Sequence, residues 1–297
     1  MTFRDRFIIA FCRRSWRFYG NVCTSVMLEV KGQAIRVPLV RNIGLRNLSF
    51  SRNTLNPTYK ENWILRMIGA IYSYRSGGFV DVGANIGKVL INLMLYDRTI
   101  PYWAFEPNVN CCFYLNRLIA ENGLRHHALL PVGLSDQAGV ATLTFSSDFD
   151  VSASAVDGFR VTTGRQSTQI MMDRGDRFLS RDRVAVIKFD VEGGELAALR
   201  GLSETIGRCR PVLLLEILDF GGMANKVATL RRDMARGIAE FLTDRDYALF
   251  RMGSDLELST ISLEGLADNL HAVENNYIAV PKQEVEELRR RYSNVQL

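Results

Sequence analysis

Short apolar runs alternate with longer segments of helical periodicity along most of the chain. The apolar runs are rich in Val, Ile, Leu and Phe and end in turn residues, so they predict β-strands. The predicted strands cover residues 79–82, 102–105, 128–133, 140–145, 184–189, 211–217, 247–251 and 276–280. The predicted helices cover residues 59–74, 88–96, 108–122, 195–206 and 224–242, and a charged helix follows Pro281. This alternation predicts an α/β fold with a mostly parallel sheet that carries helices on both faces.

The first 55 residues follow a different pattern and predict a small cap. Arginines and aromatic residues mix at positions 3–19, which predicts a basic helix, and apolar runs on both sides of Gly32 predict a β-hairpin. Asn56-Pro57 marks a break, so we divide the chain into a cap at residues 1–55 and a main domain at residues 56–297. We favour packing of the basic helix on the main domain. Peripheral contact of residues 1–20 with an anionic membrane surface stays an alternative.

Composition places the chain among globular proteins and locates its positive charge. The chain has 297 residues, of which 47% are hydrophobic, and a formal net charge of +5. Residues 1–60 hold 11 of the 37 Lys and Arg but only 2 of the 32 Asp and Glu, so the net charge is +9 there and −4 in the remainder. A mildly acidic main domain argues against a nucleic-acid partner, while RNA binding or RNA methylation through the basic segment stays an alternative function.

Cysteine usage favours a reducing, cytoplasmic setting. The five cysteines are Cys12, Cys23, Cys111, Cys112 and Cys209. An odd number without Cys-x-x-Cys spacing indicates neither a disulfide framework nor a zinc knuckle. No apolar run is long enough to span a bilayer.

The segment at residues 79–87, Phe-Val-Asp-Val-Gly-Ala-Asn-Ile-Gly, organises the main domain. An apolar strand that carries Asp81 breaks into a two-glycine turn before a helix. Gly83 permits a backbone conformation closed to other residues and would let a ligand lie against the main chain, and Gly87 would let the helix sit close to its strand. Unpaired N–H groups at such a helix start favour a nucleotide-like cofactor at the carboxyl edge of a parallel sheet.

Two further strand ends supply partners for such a cofactor. Glu106 closes the second strand 19 positions after Gly87, where a carboxylate can accept hydrogen bonds from both ribose hydroxyls. Pro107 and Asn108 begin the next helix. The polar turn that contains Asp136 ends the third strand, where it could contact an adenine ring or serve only as a turn.

Residues 146–195 contain the candidate substrate-binding and catalytic residues. Residues 146–169 are rich in Ser, Thr, Asp and Gly without periodicity, which predicts a long loop and a candidate substrate lid. In the strand that follows, alternation places Lys188, Asp190 and Glu192 on one face at the carboxyl edge. One of the two carboxylates could act as a general base, or the pair could bind a divalent cation. The alternative is a structural ion pair with Lys188. No histidine falls in the motifs, so whether a metal binds stays unknown. Glu195 is more suited to the start of a helix.

Four stretches, in order, resemble the FkbM family of S-adenosylmethionine-dependent methyltransferases. They are residues 80–87, 104–108, 133–136 and 187–195, the last followed by Leu-Arg-Gly at 199–201. The resemblance implies a class I methyltransferase fold, which is a Rossmann-like sheet of seven strands with the last one antiparallel. It also implies S-adenosylmethionine as the cofactor and O-methylation as the usual reaction. By family habit the acceptor is a hydroxyl of a glycan, another carbohydrate or a small polyhydroxylated metabolite.

The motifs and the resemblance together define the predicted site. The predicted cofactor-binding residues are Asp81, Gly83, Ala84, Asn85, Gly87, Glu106, Pro107, Asn108, Ser135 and Asp136. The predicted catalytic residues are Asp190 and Glu192. A nicotinamide-dependent oxidoreductase is disfavoured because the glycine loop lacks the full Gly-x-Gly-x-x-Gly spacing.

Overall fold

The computed structural model describes residues 23–30, 32–40, 62–146, 153–156, 166–218, 226–268, 270 and 274–295. The strands in these residues are β1 (Cys23–Val30), β2 (Gln33–Val40), β3 (Gly78–Val82), β4 (Tyr102–Phe105), β5 (His127–Leu130), β6 (Gly133–Leu134), β7 (Gly139–Phe145), β8 (Gln166–Asp173), β9 (Val184–Phe189), β10 (Val212–Glu216), β11 (Tyr247–Met252), β12 (Leu258–Ile261) and β13 (Asn276–Pro281). The helices are α1 (Asn62–Tyr72), α2 (Lys88–Tyr96), α3 (Val109–Glu121), α4 (Glu195–Gly201), α5 (Ser203–Cys209), α6 (Lys226–Thr243) and α7 (Val285–Ser293). None of the described helices is long and apolar enough to cross a membrane.

An eight-stranded sheet forms the centre of the protein, in the order β12-β11-β13-β10-β9-β3-β4-β5. Strands β10, β9, β3, β4 and β5 pair in parallel, whereas β13 is antiparallel to both of its neighbours, β10 and β11. This confirms the α/β class I methyltransferase fold, including the antiparallel strand. The expected count of seven strands is too low by one, because the chain turns back after β11 and pairs β12 antiparallel to it at the sheet edge.

Hydrophobic side chains pack on both faces of this sheet. Every residue of β3 and β9 is buried, so neither strand has a side that faces solvent. One core lies between the sheet and helices α1, α2, α3 and α7, and the other lies between the sheet and helices α4, α5 and α6. Packing therefore closes both faces, and the carboxyl ends of the parallel strands remain as the edge where a ligand can bind.

The predicted N-terminal hairpin is confirmed and packs into the main core. Strands β1 and β2 pair antiparallel around a turn in which Gly32 has a φ of +75°. Their inward-facing residues, such as Val26 and Ile35, belong to the same apolar cluster as helices α1, α2 and α3. The predicted basic helix and the alternative membrane contact fall in residues 1–20, outside the described residues, and the domain boundary at residue 55 stays a prediction.

A second sheet of three strands corrects the loop expected at residues 146–169. Strand β8 begins at Gln166, pairs antiparallel with β7 and pairs in parallel with β6. The loop expectation was wrong for residues 166–169, because these side chains are all exposed and backbone pairing with β7, rather than apolar burial, forms the strand. Thr144 also bridges to Ser154. The lid hypothesis rests mostly on residues outside the described part of the chain.

The third predicted strand, at residues 128–133, is two separate strands. Strand β5 of the large sheet ends at Leu130, and β6 of the small sheet begins at Gly133. Pro131 lies between them and has no N–H with which to continue the ladder. Ser135 and Asp136 therefore follow the small sheet rather than the large one.

Candidate active site

The turn after β3 is shaped by two glycines with left-handed backbones. Gly83 has a φ of +83°, and a Cβ on it would lie 2.0 Å from the carbonyl oxygen of Asp190. The chain after β9 fills the space that a Cβ on Gly83 would need, while Gly83 also lines the cavity described below, so its predicted contact with a ligand stays a prediction. Gly87 has a φ of +79°, and a Cβ there would lie 2.8 Å from Leu115 Cδ2 on α3. Gly87 therefore lets the start of α2 pack closely on α3, rather than on its own strand.

Glu106, which follows β4, accepts hydrogen bonds both from the turn after β3 and from the chain after β4. Its Oε2 accepts a hydrogen bond from the Asn85 N–H at 2.8 Å, and its Oε1 accepts one from the Asn108 N–H at 2.8 Å. Burial raises the pKa of this carboxyl to about 7, although both N–H donors act in the opposite direction. Each carboxylate oxygen has two lone pairs, so each can still accept one ligand hydroxyl. The geometry suits a ribose diol, and that role stays a prediction.

Asp81 is fully buried on β3, with only one of its oxygens satisfied. The Tyr102 hydroxyl donates to Oδ2 at 2.7 Å, while Oδ1 has no hydrogen-bond donor among the described residues. Burial raises the pKa of Asp81 to about 6, against the lowering effect of the Lys188 charge. A buried acceptor without a donor costs about 1–3 kcal/mol. A positively charged group of a ligand would relieve that cost.

The carboxyl ends of β9 and β10 carry a second group of charges, which we name the β9–β10 edge: Lys188, Asp190 and Glu216. The Lys188 ammonium donates to Asp190 Oδ2 at 2.7 Å. Asp190 and Glu216 follow the paired residues Phe189 and Leu215 and act on each other's ionisation, and the Asn275 amide donates to Glu216 Oε1. The Asp190 side chain is 34% exposed against 10% for Lys188, so Asp190 is more open to a ligand than Lys188.

Ionisation differs sharply between the two carboxyl groups of this edge. Burial acts to raise the pKa of Asp190, but the Lys188 charge and the hydrogen bond from Glu216 hold that pKa below its ordinary value. Burial, followed by the negative charge of Asp190, raises the pKa of Glu216 well above its ordinary value. These opposite shifts favour one proton on the pair at neutral pH, with Glu216 as the preferred holder.

The expected shared face holds for Lys188 and Asp190, whose side chains pair at 2.7 Å, but strand alternation does not place Glu192. Strand β9 ends at Phe189, and Glu192 lies in the following turn with a φ of +52°. The alternation of a strand does not extend through a turn, so position 192 is not set by the pleat of β9. Glu195 is confirmed as a helix-start residue, since α4 begins there. Its carboxylate accepts hydrogen bonds from the backbone N–H groups of residues 191 and 193 at 3.1–3.2 Å, which closes the turn.

One cavity of about 600 Å³ joins both groups of residues. Ten of the predicted site residues line it: Asp81, Gly83, Ala84, Asn85, Glu106, Pro107, Asn108, Ser135, Asp190 and Glu192. Gly87 and Asp136 do not line it, and their predicted cofactor contacts stay predictions. A cavity of this volume is in the range of small-molecule and cofactor sites.

Sequence reasoning missed several residues that line this cavity. Glu216 and Asn276 come from neighbouring strands of the sheet, and Trp63 comes from α1. Val140 and Ile170 of the small sheet add an apolar wall. The position of Glu216 at the end of an apolar run was the available signal, because it matches the position of Asp190 after β9.

The described residues contain no group of three or more His, Cys, Asp and Glu that could hold a metal ion. The spacing of Asp190 and Glu192 in the sequence had left binding of a divalent cation as an alternative. In the structure the partners of Asp190 are Lys188 and Glu216.

The fold and the cavity at the carboxyl edge are those of a class I methyltransferase. Residues 81–249, more than half of the chain, match the family model described as Methyltransferase FkbM domain. The chain therefore belongs to the FkbM methyltransferase family. This confirms the family predicted from the four sequence motifs, and with it S-adenosylmethionine as the cofactor.

Several solved structures are similar to this chain at low identity. An FkbM methyltransferase from Methylobacillus flagellatus is 16% identical with a TM-score of 0.44, and the match covers 81% of this chain and 59% of that one. A precorrin-6y C5,15-methyltransferase from Geobacter metallireducens is 12% identical (TM-score 0.32; 72% and 84% covered). The methyltransferase PaMTH1 from Podospora anserina, bound to S-adenosylhomocysteine, is 7% identical (TM-score 0.43; 92% and 93% covered). No curated protein matches the chain.

Proposed function

We propose that this protein transfers a methyl group from S-adenosylmethionine to a hydroxyl of a carbohydrate or a small polyhydroxylated metabolite. The observation that carries the proposal is the position of Asp190, which lines the same cavity as Glu106 and is ionised beside Lys188. One part of the cavity thus suits the cofactor, and another part offers a carboxylate that can accept a proton.

The residues present fit the cofactor. Glu106 would accept hydrogen bonds from the ribose diol, and Ser135 lines the cavity where an adenine ring is expected. Asp81, whose Oδ1 has no donor among the described residues, would face the positively charged amino-acid end together with the turn at Asn85. When bound, the cofactor supplies an electrophilic methyl group on a positively charged sulfur.

Asp190 would act as the general base toward the acceptor hydroxyl. Methyl transfer to oxygen is an in-line displacement, so the protein must align the hydroxyl and remove its proton. Asp190 would accept that proton as the hydroxyl oxygen takes up the methyl group that the bound cofactor would supply. Lys188 keeps Asp190 ionised before the transfer because its ammonium lies 2.7 Å from Oδ2.

A hydroxyl-rich acceptor is supported by the polar groups near Asp190. Glu192, Glu216 and Asn276 line the cavity and offer acidic and amide groups, which pair well with hydroxyls. The negative charges of Asp190 and Glu192 would repel the phosphates of a nucleic acid. The RNA alternative concerns the basic residues 1–60, most of which lie outside the described residues, and none of the comparisons supports it.

An acceptor screen with labelled S-adenosylmethionine tests the proposal. We expect label transfer to a sugar, a lipid-linked glycan or another polyol, and none to RNA. Calorimetry of cofactor binding accompanies the screen, because an inactive preparation must first be shown to bind S-adenosylmethionine. Transfer to nitrogen or carbon acceptors only, or to RNA only, would contradict the proposed acceptor class.

A further inference from the structure

Glu216 and Asp190 occupy matching positions on two neighbouring parallel strands. Leu215 on β10 pairs with Phe189 on β9, so the next residue of each strand lies at the same carboxyl edge. Side chains at matching positions of neighbouring strands are close, and the two carboxyl groups act on each other's ionisation there. A hydrogen bond between them requires one proton, since two carboxylates only accept.

The surroundings of the pair determine which carboxyl group holds that proton. Lys188 binds the Oδ2 of Asp190 at 2.7 Å, and Lys88 at the start of α2 adds a second positive charge that acts on Asp190. Glu216 receives a neutral amide hydrogen bond from Asn275. A cation favours the ionised form of its neighbour more than an amide does, so Asp190 is the carboxylate and Glu216 the acid.

Other acidic groups act in the same direction. Glu192 in the turn after β9 adds negative charge near Glu216, and Asp81 on β3 lies near Asp190 and Lys188. Together they make a second carboxylate at this edge unfavourable. The negative charges of Asp190 and Glu192 therefore favour a protonated Glu216 against the opposing charge of Lys188, while Lys188 and Lys88 favour an ionised Asp190.

We propose that Glu216 is a positioning residue that holds a proton and donates a hydrogen bond to Asp190, fixing the orientation of the base toward the acceptor hydroxyl. This inference rests on the proposed function of Asp190. Lys188 and Glu216 then hold Asp190 from two sides, and its exposed surface is left for the acceptor. Glu216 does not itself take the hydroxyl proton, because in the resting enzyme it already carries one.

Two variants separate this role from the alternatives. Glu216→Gln keeps a donor at the same place, so we expect turnover within about tenfold of wild type. Glu216→Leu removes the donor, and we expect turnover to fall by about 100-fold, the lower range for a misplaced general base. Loss of activity in Glu216→Gln as large as in Glu216→Leu would overturn the proposal, because it would make Glu216 the base.

The pH profile gives a readout that a purely structural role would not change. In wild type we expect turnover to decline at alkaline pH, where Glu216 loses its proton and can no longer donate to Asp190. In Glu216→Gln that decline should be absent, because an amide does not titrate in this range. An alkaline decline of the same size in both proteins would contradict the proposal.

A titration without any acceptor tests the protonation directly. The full-length protein, carrying ¹³C-labelled Glu side-chain carboxyl groups, is followed by NMR as the pH is raised. We expect the Glu resonance that titrates at the highest pH, above the resonances of Glu106 and Glu195, to be lost in Glu216→Gln and to remain in Glu264→Gln, an exposed control position. Persistence of that highest-titrating resonance in Glu216→Gln would overturn the proposal, and so would a wild type in which no Glu titrates above Glu106 and Glu195. This result is independent of the acceptor screen, so failure to find a hydroxyl acceptor is a separate outcome.

Discussion

The two carboxyl edges that meet in the cavity hold their acidic residues in different ways. At the ends of β3 and β4, Glu106 is fixed by backbone N–H groups of the two following turns. At the ends of β9 and β10, Asp190 is fixed by side chains, those of Lys188 and Glu216. Backbone donors hold a carboxylate for binding with little dependence on other side chains. Side-chain partners hold it in a defined ionisation state, which is what proton transfer requires.

The largest expected effect is at the β9–β10 edge. Asp190→Asn removes the proton acceptor while keeping the size of the side chain, so we expect turnover to fall by about 10²–10⁴-fold. The measurement is label transfer to an acceptor found in the screen, at saturating S-adenosylmethionine. Glu264→Asn, at an exposed position outside the cavity, serves as the control. Turnover of Asp190→Asn within about threefold of wild type would remove Asp190 from the mechanism.

The next largest effect is expected on stability, at Gly83, where the turn after β3 contacts the chain after β9. Gly83→Ala places a Cβ against the carbonyl of Asp190 in a left-handed backbone, whereas Gly123→Ala meets a similar φ of +63° with open space around it. We expect the Gly123 variant to lose about 1–2 kcal/mol of unfolding free energy. The Gly83 variant should lose about 1–3 kcal/mol more, from overpacking. Equal losses in denaturant unfolding would show that the close contact between residues 83 and 190 is unimportant.

Features of the site that depend on local sequence could be predicted, and those that depend on strand pairing could not. The turn at residues 83–87, the acidic residue after β4 and the helix start at Glu195 depend on local sequence, so they could be predicted. The partnership of Asp190 with Glu216 depends on the pairing of β9 with β10, which are separated by two helices. The alternation used to place Glu192 failed because the strand ended before that residue.

The limits of pattern reading also appear in the small sheet. Residues 166–169 are exposed and polar, so neither periodicity nor apolar content indicated a strand. Their pairing with β7 is a long-range contact that a local pattern does not contain. Similarly, β12 is a short edge strand with no fully buried residue, which explains why eight strands were found where seven were expected.

The pH dependence of cofactor affinity is expected to report on the β3–β4 end of the cavity. Glu106 has a pKa raised to about 7, so it takes up a proton as the pH falls through 7 and then accepts ribose hydroxyls less well. Asp81, with a pKa raised to about 6, follows at lower pH. We expect the Kd for S-adenosylmethionine to rise below pH 7 by at most about tenfold per pH unit for each group. Calorimetry between pH 8 and pH 5.5 measures this, and a slope near pH 7 that persists in Glu106→Gln would contradict the assignment.

The smallest expected effect separates two neighbouring residues of the predicted cofactor site. Ser135 lines the cavity and Asp136 does not. We therefore expect Asp136→Ala to change the Kd for S-adenosylmethionine by less than about threefold, about 0.7 kcal/mol, and Ser135→Ala to change it by more. The reverse order would restore the adenine contact predicted for Asp136.

The most direct test of the division between the two edges is calorimetry of S-adenosylmethionine binding to Glu106→Ala and Asp190→Asn in parallel. We expect Glu106→Ala to weaken binding by about tenfold or more, since two charge-assisted ligand contacts are lost, and Asp190→Asn to stay within about threefold of wild type. Thermal unfolding of both variants checks that each is folded at the temperature of the measurement. If Asp190→Asn weakened the cofactor while Glu106→Ala bound it normally, the roles assigned to the two edges would be reversed.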